Sequence, residues 1–500
     1  MCRKKVVIIG GGVGGLFAGA FLSKEGYDVT VVEKNSTIGG GLQSFQRFGE
    51  TFDTGMHVIG GMHSEGNLYK MCKYLGILDK INLKQTDDTC SDEVFVASDN
   101  KKYKIAKGKD GFINSLSEYF PHQRKELEQY VEAMIALTEE VDLFYLRKPT
   151  ISLFYHSADF MLPVDEFIAK YITDEKLRVV LAFHNLLYAG EAGVTPAFIH
   201  AIISILYLND PMRFIDGTSH FAEALGEVIK INGGTIIRGE KITKIHVEGK
   251  RVVSCETSTG KSIEGDCYIS AIHPSAFLEL VEDKGVFTKS YRNRLEHTPN
   301  SYSAMVLNIK LKPNTIEYIN YTGHYFSNNK DAWKNLSDIE KWPNICLYMT
   351  PPVKNQSKYA STLNLIAPMN WEEVKQWEDT TCGRRGEDYI EWKKLRAKIV
   401  LQRMTAVFPN LLESIEGIDI ATPLTIRDFY GVKHGALYGY KKDCNNMIHS
   451  KVSIKTKLTN LFLTGQNHNL HGLCGVSLTA IETCNMILGD CRLLDNINNA

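Results

Sequence analysis

The spacing of apolar and polar positions is clearest at the start of the chain. A run of β-branched residues at 5–9 is typical of a strand buried on both faces. Five of the six residues at 10–15 are glycine, residues 16–24 have helical spacing, and residues 28–33 form a second apolar run. Strand, helix and strand in so short a stretch predict a β-α-β unit that opens a parallel sheet.

The same patterns predict later elements. Helical spacing predicts helices over 124–145, 219–232, 387–408 and 476–488. Apolar runs predict strands over 303–312, 345–349, 362–367 and 458–464, and residues 233–269, with their glycine-containing turns, are predicted to form a β-meander. These separated pieces suggest a nucleotide-binding domain with other material inserted between its segments.

Three glycines in the first turn have the G-x-G-x-x-G spacing of dinucleotide-binding proteins. Gly10 permits a tight turn, Gly12 lets a pyrophosphate approach the backbone, and Gly15 allows close packing of helix and strand. Glu33 ends the second strand, where its carboxylate can accept hydrogen bonds from ribose hydroxyls. An acid at this position disfavours a 2′-phosphate, which leaves FAD or NAD.

Further glycines favour a flavin over a nicotinamide. Residues 39–41 are all glycine, an apolar run ends at Gly465, and Gly475 and Val476 open the last predicted helix. The N-terminus of that helix can stabilise negative charge at the N1/O2 edge of a reduced flavin. Each cluster alone is typical of a turn, but their combination predicts a flavin cradle.

Composition narrows the class of protein. The chain has 500 residues, of which 44% are hydrophobic, and a formal net charge of −1, which offers no basic surface for nucleic acid. Its 11 cysteines include no C-x-x-C pair, so neither a disulfide framework nor a zinc site is indicated. No stretch has the pattern of a signal peptide or a spanning helix. We expect a cytoplasmic protein, and peripheral contact with a membrane stays open.

The motifs together resemble those of a known group of flavoproteins. The resemblance rests on Phe-Asp-Thr-Gly-Met-His-Val-Ile-Gly at 52–60, on 421–425 with 435–439, and on Asn-Leu-Phe-Leu-Thr-Gly-Gln at 460–466. The group is the FAD-dependent desaturases, isomerases and saturases of the flavin amine oxidase-like superfamily. It includes phytoene desaturases, carotenoid isomerase and all-trans-retinol 13,14-reductase (retinol saturase), and the saturase-like motifs are the most similar.

This resemblance implies FAD as the cofactor and assigns residues to it. The implied contacts are Gly10, Gly12, Gly15 and Glu33 for the ADP half, Gly40, Gly41 and Ser44 for the pyrophosphate and ribityl region, Ile242 for the adenine, and Gly465 and Val476, with the adjacent Gly475, for the isoalloxazine end. Many relatives carry arginine where this chain has Gly41, so a direct arginine contact near the phosphates is not expected.

The expected fold class is α/β plus α+β. It is a discontinuous Rossmann-type FAD-binding domain, glutathione reductase-like, with an inserted substrate domain of mixed sheet and helices. Residues 1–105, 216–280 and 426–500 are predicted to form the FAD-binding domain, and residues 106–215 and 281–425 the substrate-binding domain. Within the substrate domain, the apolar stretch 183–208 is compatible either with a lipophilic tunnel or with core helices.

Candidate proton donors lie in the segments that carry the motifs. They are His57, His434, Tyr438, His468 and His471. Histidine and tyrosine can deliver a proton to a carbon beside a reduced double bond, although a structural role for each histidine is the stronger alternative. No Ser/His/Asp triad and no cluster of metal ligands can be inferred from the spacing.

The predicted function is FAD-dependent oxidation or reduction of carbon–carbon bonds in a hydrophobic polyene or isoprenoid, retinoid- or carotenoid-like, by hydride transfer at flavin N5. The expected partners are this small molecule and an external electron donor or acceptor, because no second dinucleotide motif follows a strand. Two alternatives stay open: a flavin amine oxidase, and a non-catalytic prenyl-binding protein resembling GDP-dissociation inhibitors. The residues do not indicate whether the substrate is oxidised or reduced.

Overall fold

The computed structural model describes residues 3–150, 155–328, 332–333 and 341–500. Its strands are β1 (Lys5–Ile9), β2 (Asp28–Glu33), β3 (Ser44–Arg47), β4 (Glu50–Asp53), β5 (Val58–Ile59), β6 (Leu83–Gln85), β7 (Asp92–Val96), β8 (Lys101–Ile105), β9 (Met212–Phe214), β10 (Thr235–Arg238), β11 (Ile242–Glu248), β12 (Arg251–Thr257), β13 (Ser262–Glu264), β14 (Cys267–Ser270), β15 (Ser303–Leu311), β16 (Thr322–Phe326), β17 (Ile345–Met349), β18 (Thr362–Met369), β19 (Ile415–Ala421) and β20 (Leu461–Leu463).

The α-helices are α1 (Val13–Lys24), α2 (Asn67–Leu75), α3 (Lys109–Tyr119), α4 (Arg124–Glu139), α5 (Val164–Tyr171), α6 (Glu175–Leu181), α7 (Ala197–Asn209), α8 (Ser219–Ile231), α9 (Pro274–Leu280), α10 (Lys289–His297), α11 (Glu387–Met404), α12 (Leu411–Ser414), α13 (Pro423–Tyr430), α14 (Met447–Ser450), α15 (Gly472–Leu488) and α16 (Arg492–Asn498). Along the described ranges, no helix combines the length and the apolar character needed to cross a bilayer.

A five-stranded parallel sheet carries the N-terminal motif. Its strand order is β10-β2-β1-β14-β20, so its strands come from three separated parts of the chain. Helix α1 crosses from β1 to β2 and is buried along most of its length, packed against α8 and α15. The predicted discontinuous nucleotide-binding sheet is therefore present, and the predicted fold class is confirmed.

Residues 233–269 do not form a single meander, so that prediction is wrong at both ends of the segment. Strand β10 pairs in parallel with β2, and β14 pairs in parallel with β1 and β20. Only β11, β12 and β13 form an antiparallel sheet. Local spacing identifies strands, but the pairing partners of β10 and β14 lie more than 190 residues away in the sequence and are chosen by long-range packing.

The second large sheet is mixed and has seven strands. Its order is β19-β15-β18-β17-β16-β7-β8, and β16 with β7 is its parallel pair. Strands β7 and β8, which end at Ile105, pair here, although the predicted boundary groups residues 1–105 with the FAD-binding segments. The division into two domains stays a prediction. Its first boundary, after residue 105, assigns β7 and β8 to the FAD-binding domain, whereas the strands with which they share a sheet lie in the predicted substrate-binding domain.

The predicted helices differ from the observed ones mainly at their ends. Helix α4 ends at Glu139, before the predicted limit at 145, and α11 ends at Met404 rather than 408. Helix α15 begins at Gly472, four residues before the predicted start at 476. This earlier start has a functional consequence, because it places the first turn of α15 against the cavity described below.

Candidate functional site

One cavity of about 650 Å³ is lined by both large sheets. On one side lie the segments that follow β1, β2, β14 and β20, at the carboxyl ends of the parallel strands. On the other side lie residues of β15, β16, β17 and β18. The carboxyl edge of a doubly wound sheet is where such folds bind nucleotides, so this cavity is the candidate active site.

The first glycine motif has the geometry that its spacing predicts. Gly10 has a φ of 102°, which favours glycine, and Gly12 is the N-cap of α1. A Cβ on Gly12 would meet no protein atom within 4 Å, although Gly12 lines the cavity. A Cβ on Gly15 would lie 2.1 Å from the carbonyl oxygen of Gly10, so Gly15 serves the packing of α1 on β1 and does not line the cavity.

Glu33 lies at the end of β2 and lines the cavity, as a ribose contact requires. Its Oε2 accepts a hydrogen bond from the backbone N–H of Gly11 at 2.7 Å, and its Oε1 accepts one from Asn35 at 2.8 Å. Each carboxylate oxygen has a second acceptor position. The carboxylate is thus held in place by the backbone and keeps capacity for a ribose hydroxyl.

The second glycine cluster closes over the first. A Cβ on Gly40 would lie 3.3 Å from Cα of Gly12, and both residues line the cavity. Gly41 also lines it, and its Cβ position lies 3.7 Å from the hydroxyl of Tyr430. That hydroxyl is buried and makes no hydrogen bond of normal geometry with the described residues. Tyr430 therefore occupies the space beside Gly41.

The two ends of the chain meet at the start of α1. A Cβ on Gly14 would lie 3.0 Å from a methyl group of Val476 and 3.3 Å from Cα of Gly465. Gly465 and Val476 line the cavity, together with Gly472 in the first turn of α15. Two helix N-termini, those of α1 and α15, therefore lie at one cavity and favour negative charge there.

Three further predicted cofactor residues have different surroundings. Ile242 begins β11 and lines the cavity. Ser44 is not among the lining residues: its Oγ donates to Asp53 at 2.7 Å and accepts from the backbone of Thr218 at 3.0 Å. Gly475 also lies outside the main cavity, and its Cβ would meet Leu470 at 2.4 Å. Ser44 and Gly475 support the surrounding backbone, and their contact with the cofactor stays a prediction.

Among the predicted proton donors, His57 and Tyr438 line the cavity. Burial lowers the pKa of His57, so its imidazole is neutral at physiological pH. Burial raises the pKa of Tyr438, and its hydroxyl donates to the carbonyl of Leu186 at 2.6 Å. The proton of Tyr438 is thus already engaged by the protein.

The other three histidines do not line the main cavity. His434 has a φ of 58° and stacks on Trp371 with ring centroids 5.2 Å apart. Burial lowers the pKa of both His468 and His471 to about 4. The ring nitrogens of these two histidines donate to the carbonyls of Val452 and Leu187 at 2.9 and 3.1 Å. These contacts favour the structural alternative for all three, and a catalytic role for them stays a prediction.

Several lining residues carry no sequence signal of their own. They are Asp92, His184, Tyr207, Tyr302, Thr322 and Tyr430. His184 and Tyr207 fall in the apolar stretch 183–208, which is compatible with a tunnel or with core helices. Both residues line the cavity, and Tyr207 lies in α7. Within the described ranges, no group of three or more His, Cys, Asp or Glu side chains could hold a metal ion.

The residues present fit a bound dinucleotide. Gly12 and Gly465 line the cavity, yet a Cβ on either would meet no protein atom within 4 Å, so open space faces the backbone there. Glu33 supplies an acceptor for ribose, and the two helix N-termini supply N–H groups for phosphate and for an anionic ring edge. The donor set thus matches both ends of an extended flavin nucleotide.

Known proteins match this chain over most of its length. All-trans-retinol 13,14-reductase from Danio rerio is 23% identical over 533 residues, covering 96% of this chain and 85% of that protein. Prolycopene isomerase 2, chloroplastic, from an Oncidium hybrid cultivar is 26% identical over 462 residues, covering 87% and 74%. The crystal structure of an oxidoreductase from Methanosarcina mazei has a TM-score of 0.65 at 15% identity, covering 96% and 99%, which shows a shared fold.

The family follows from a match to the chain as a whole. The family model described as flavin containing amine oxidoreductase matches residues 13–473, a range that includes α1, the walls of the cavity on the seven-stranded sheet and the first two residues of α15. The chain therefore belongs to the flavin-containing amine oxidoreductase family, and FAD is its cofactor.

Proposed function

We propose that this FAD-dependent oxidoreductase acts on a carbon–carbon bond of a hydrophobic polyene of the isoprenoid class. The observation that carries the proposal is one continuous cavity, in which the glycine cradle opens onto walls that are mostly apolar. The matched relatives, a retinol reductase and a prolycopene isomerase by name, support a substrate of this chemistry.

The walls away from the cradle are mostly apolar. They include Val58, Leu347, Met349 and Ile366. Burial of apolar surface contributes about 25 cal/mol per Å², so such walls bind an uncharged, extended hydrocarbon through contact area alone. They also keep the reacting bond dry, which prevents competing reactions with water.

Bound FAD would supply the redox chemistry, the exchange of a hydride equivalent between its N5 and a carbon of the substrate. The protein orients the substrate and controls the accompanying proton. His57 is our candidate for holding that proton, because its ring lines the cavity and, being neutral, offers one donor and one acceptor nitrogen. Tyr438 is better placed to fix the wall, because its hydroxyl bonds to Leu186.

The family name itself suggests an alternative function, that of a flavin amine oxidase. Acidic side chains do line the cavity, among them Glu33 and Asp92. Glu33 is bonded to the backbone at the cradle, and Asp92 is bonded to His324 and Ser91, so both carboxylates already have donors. The non-catalytic prenyl-binding alternative is weaker, because both glycine cradles keep open space for the cofactor.

Two further expectations, an external redox partner and contact with a membrane surface, complete the proposal. An external electron donor or acceptor would return the flavin to its starting state. Contact with a membrane surface would deliver a lipophilic substrate, and Phe429, which lines the cavity and is 50% exposed, supports an entrance on that side. Binding to vesicles with and without Phe429→Ser would test this contact.

The decisive experiment mixes photoreduced holoenzyme anaerobically with a panel of polyenes and follows flavin absorbance and product mass. Flavin reoxidation with a gain of two hydrogens identifies a saturase. Bleaching of oxidised enzyme by a more saturated precursor identifies a desaturase, and altered geometry at unchanged mass identifies an isomerase. If no lipophilic alkene perturbs the flavin while an amine produces hydrogen peroxide, the proposal is wrong and the amine oxidase is right.

A further inference from the structure

A buried lysine near the start of α15 has no counter-ion. Lys442 is 7% exposed, and its ammonium makes no hydrogen bond or ion pair with any residue that the structure describes. The preceding residue, Lys441, forms an ion pair with Glu191. A buried cation destabilises a protein unless negative charge or hydrogen-bond acceptors surround it. Lys442 therefore requires a negative partner that the described part of the chain does not supply.

The backbone holds Lys442 behind one wall of the cavity. Two residues earlier, the backbone N–H of Tyr440 donates to Oδ1 of Asn467 at 2.8 Å, and Asn467 lines the cavity. The positive charge of Lys442 also acts on His471, the N-cap of α15. Gly472, the next residue after this N-cap, lines the cavity as well. The charge of Lys442 and the N-terminus of α15 therefore lie on the same side of the cavity.

The titratable groups that face Lys442 do not neutralise it. Burial, and after it the charge of Lys442, lowers the pKa of His471 to about 4. Burial also lowers the pKa of His468 to about 4, so both rings are neutral near pH 7. Lys451 is exposed and adds a second positive charge. Burial lowers the pKa of Lys442 itself to about 8, so most of its ammonium is still charged at pH 7.

Reduced flavin has the negative charge that this position lacks. A hydride that arrives at flavin N5 brings two electrons and one proton, so the ring system gains one negative charge, which lies at its N1/O2 edge. Gly465 and Val476, the predicted contacts of the isoalloxazine ring, line the cavity together with Gly472. The pyrophosphate of FAD is charged in both redox states, so a cation that served it would not distinguish oxidised from reduced cofactor.

We propose that Lys442, together with the N-terminus of α15, stabilises the negative charge of reduced flavin and thereby raises the reduction potential of bound FAD. Lys442 acts on the flavin through its electric field. This role depends on FAD, the cofactor of the family, and not on the proposed polyene substrate. It applies equally to a saturase, a desaturase, an isomerase or an amine oxidase.

The test compares the reduction potential of bound FAD in wild-type holoenzyme and in Lys442→Met, by anaerobic titration against a reference dye. Two unit charges about 10 Å apart, at an effective dielectric constant of about 20, change an equilibrium about 10-fold. The affinity for reduced relative to oxidised FAD should fall by this factor, which lowers a two-electron potential by about 30 mV. Sulfite adds to flavin N5 and leaves negative charge at the same edge, so its affinity should also fall about 10-fold.

Two further variants assign the effect to the buried charge. Lys451→Met removes an exposed cation from the same region and should change both readouts about 2-fold at most, because water and salt screen it. Lys442→Arg keeps the charge and should keep the wild-type potential. FAD-stripped Lys442→Met should be at least as thermally stable as stripped wild type, because an unpaired buried charge is gone. A lower midpoint of the stripped variant with an unchanged flavin potential would show a structural role and overturn the assignment.

The wild-type protein provides a second test even if no variant folds. The pKa of Lys442 is about 8, and a negative charge nearby raises it. Between the lower and the raised pKa, reduction of the flavin draws one additional proton onto Lys442. The potential should therefore fall more steeply above about pH 8, by about 30 mV more per pH unit, whereas His468 and His471 stay neutral there. A constant slope up to about pH 10 would refute the role of Lys442.

The proposed function and the role of Lys442 can fail separately, because none of these measurements uses a substrate. If the potential and the sulfite affinity respond as expected while no polyene reacts, Lys442 keeps its role and the proposed substrate is wrong. If polyenes react but Lys442→Met has the wild-type potential, the proposed function stands and the role of Lys442 is wrong.

Discussion

Replacement of Gly12 by valine separates cofactor binding from folding. Gly12 lines the cavity with a φ of −73°, a value that any residue adopts, and its Cβ position is free of protein atoms within 4 Å. The added side chain therefore meets only the space where the pyrophosphate is expected. We predict that Gly12→Val folds but binds FAD more weakly.

The expected loss of FAD affinity follows from the contacts that the variant removes. Loss of one hydrogen bond between the backbone and a charged phosphate costs about 1.5–3 kcal/mol, which raises the Kd for FAD about 10- to 100-fold. At FAD equal to 100 times the wild-type Kd, bound cofactor stabilises the fold by about 2.7 kcal/mol, and a 100-fold weaker Kd leaves about 0.4 kcal/mol. With about 2.1 cal/mol/K per residue for the unfolding entropy, this loss lowers the midpoint by about 2 °C.

The assay compares thermal midpoints of FAD-stripped protein with and without added FAD, together with the ratio of flavin to protein absorbance after purification. Because valine is a poorer N-cap than glycine, the stripped variant should lose about 1 kcal/mol and little more. Gly15→Val is the contrasting control, since its Cβ would lie 2.1 Å from the carbonyl oxygen of Gly10 and should destabilise the protein with or without FAD. Wild-type FAD affinity in Gly12→Val would refute this reasoning.

Three further predictions concern single side chains around the cavity. Tyr430→Phe should weaken FAD binding about 2- to 10-fold with little change in the midpoint of stripped protein, because its buried hydroxyl has no well-formed protein partner. His57→Gln should keep full flavin content but slow the turnover of a reactive alkene about 100-fold or more, as removal of a proton carrier does. Acidification from pH 7.5 to pH 5 should destabilise the protein, because the pKa of His468 falls from 6.5 to about 4 on folding.

The sign of the pH effect follows from proton uptake by the unfolded chain. Between pH 6.5 and pH 4 the unfolded histidine binds a proton that the buried ring excludes, so stability is complete above 6.5 and is lost as the pH falls. For His468 alone this amounts to about 2 kcal/mol at pH 5. His468→Gln should flatten the dependence of the thermal midpoint on pH, and an unchanged slope would contradict the assignment. Flavin content serves as the control for His57→Gln, and equal FAD affinity in Tyr430→Phe would exclude a cofactor contact.

The sequence by itself determined the first unit of the fold and one half of the cofactor site. Gly10, Gly12, Gly15 and Glu33 lie within a single β-α-β unit, so their spacing along the chain sets their spacing in space. Strands β1, β2 and β17 also match their predicted bounds, because apolar runs between turn residues define buried strands locally. The flavin end of the site could be predicted only from the combination of motifs, because Gly465 lies next to Gly14 through tertiary packing alone.

Tertiary structure alone decided which strands pair and which polar groups share the cavity. Local spacing does not encode that β10 and β14 join β2 and β1, or that β7 joins the seven-stranded sheet, because partners distant in sequence compete for each strand edge. Asp92, His184 and His324 come from three separate segments, and each alone is typical of a satisfied core residue. Their convergence in the wall of one cavity depends on long-range packing. Apolar periodicity drives this packing but does not specify which segments pack together.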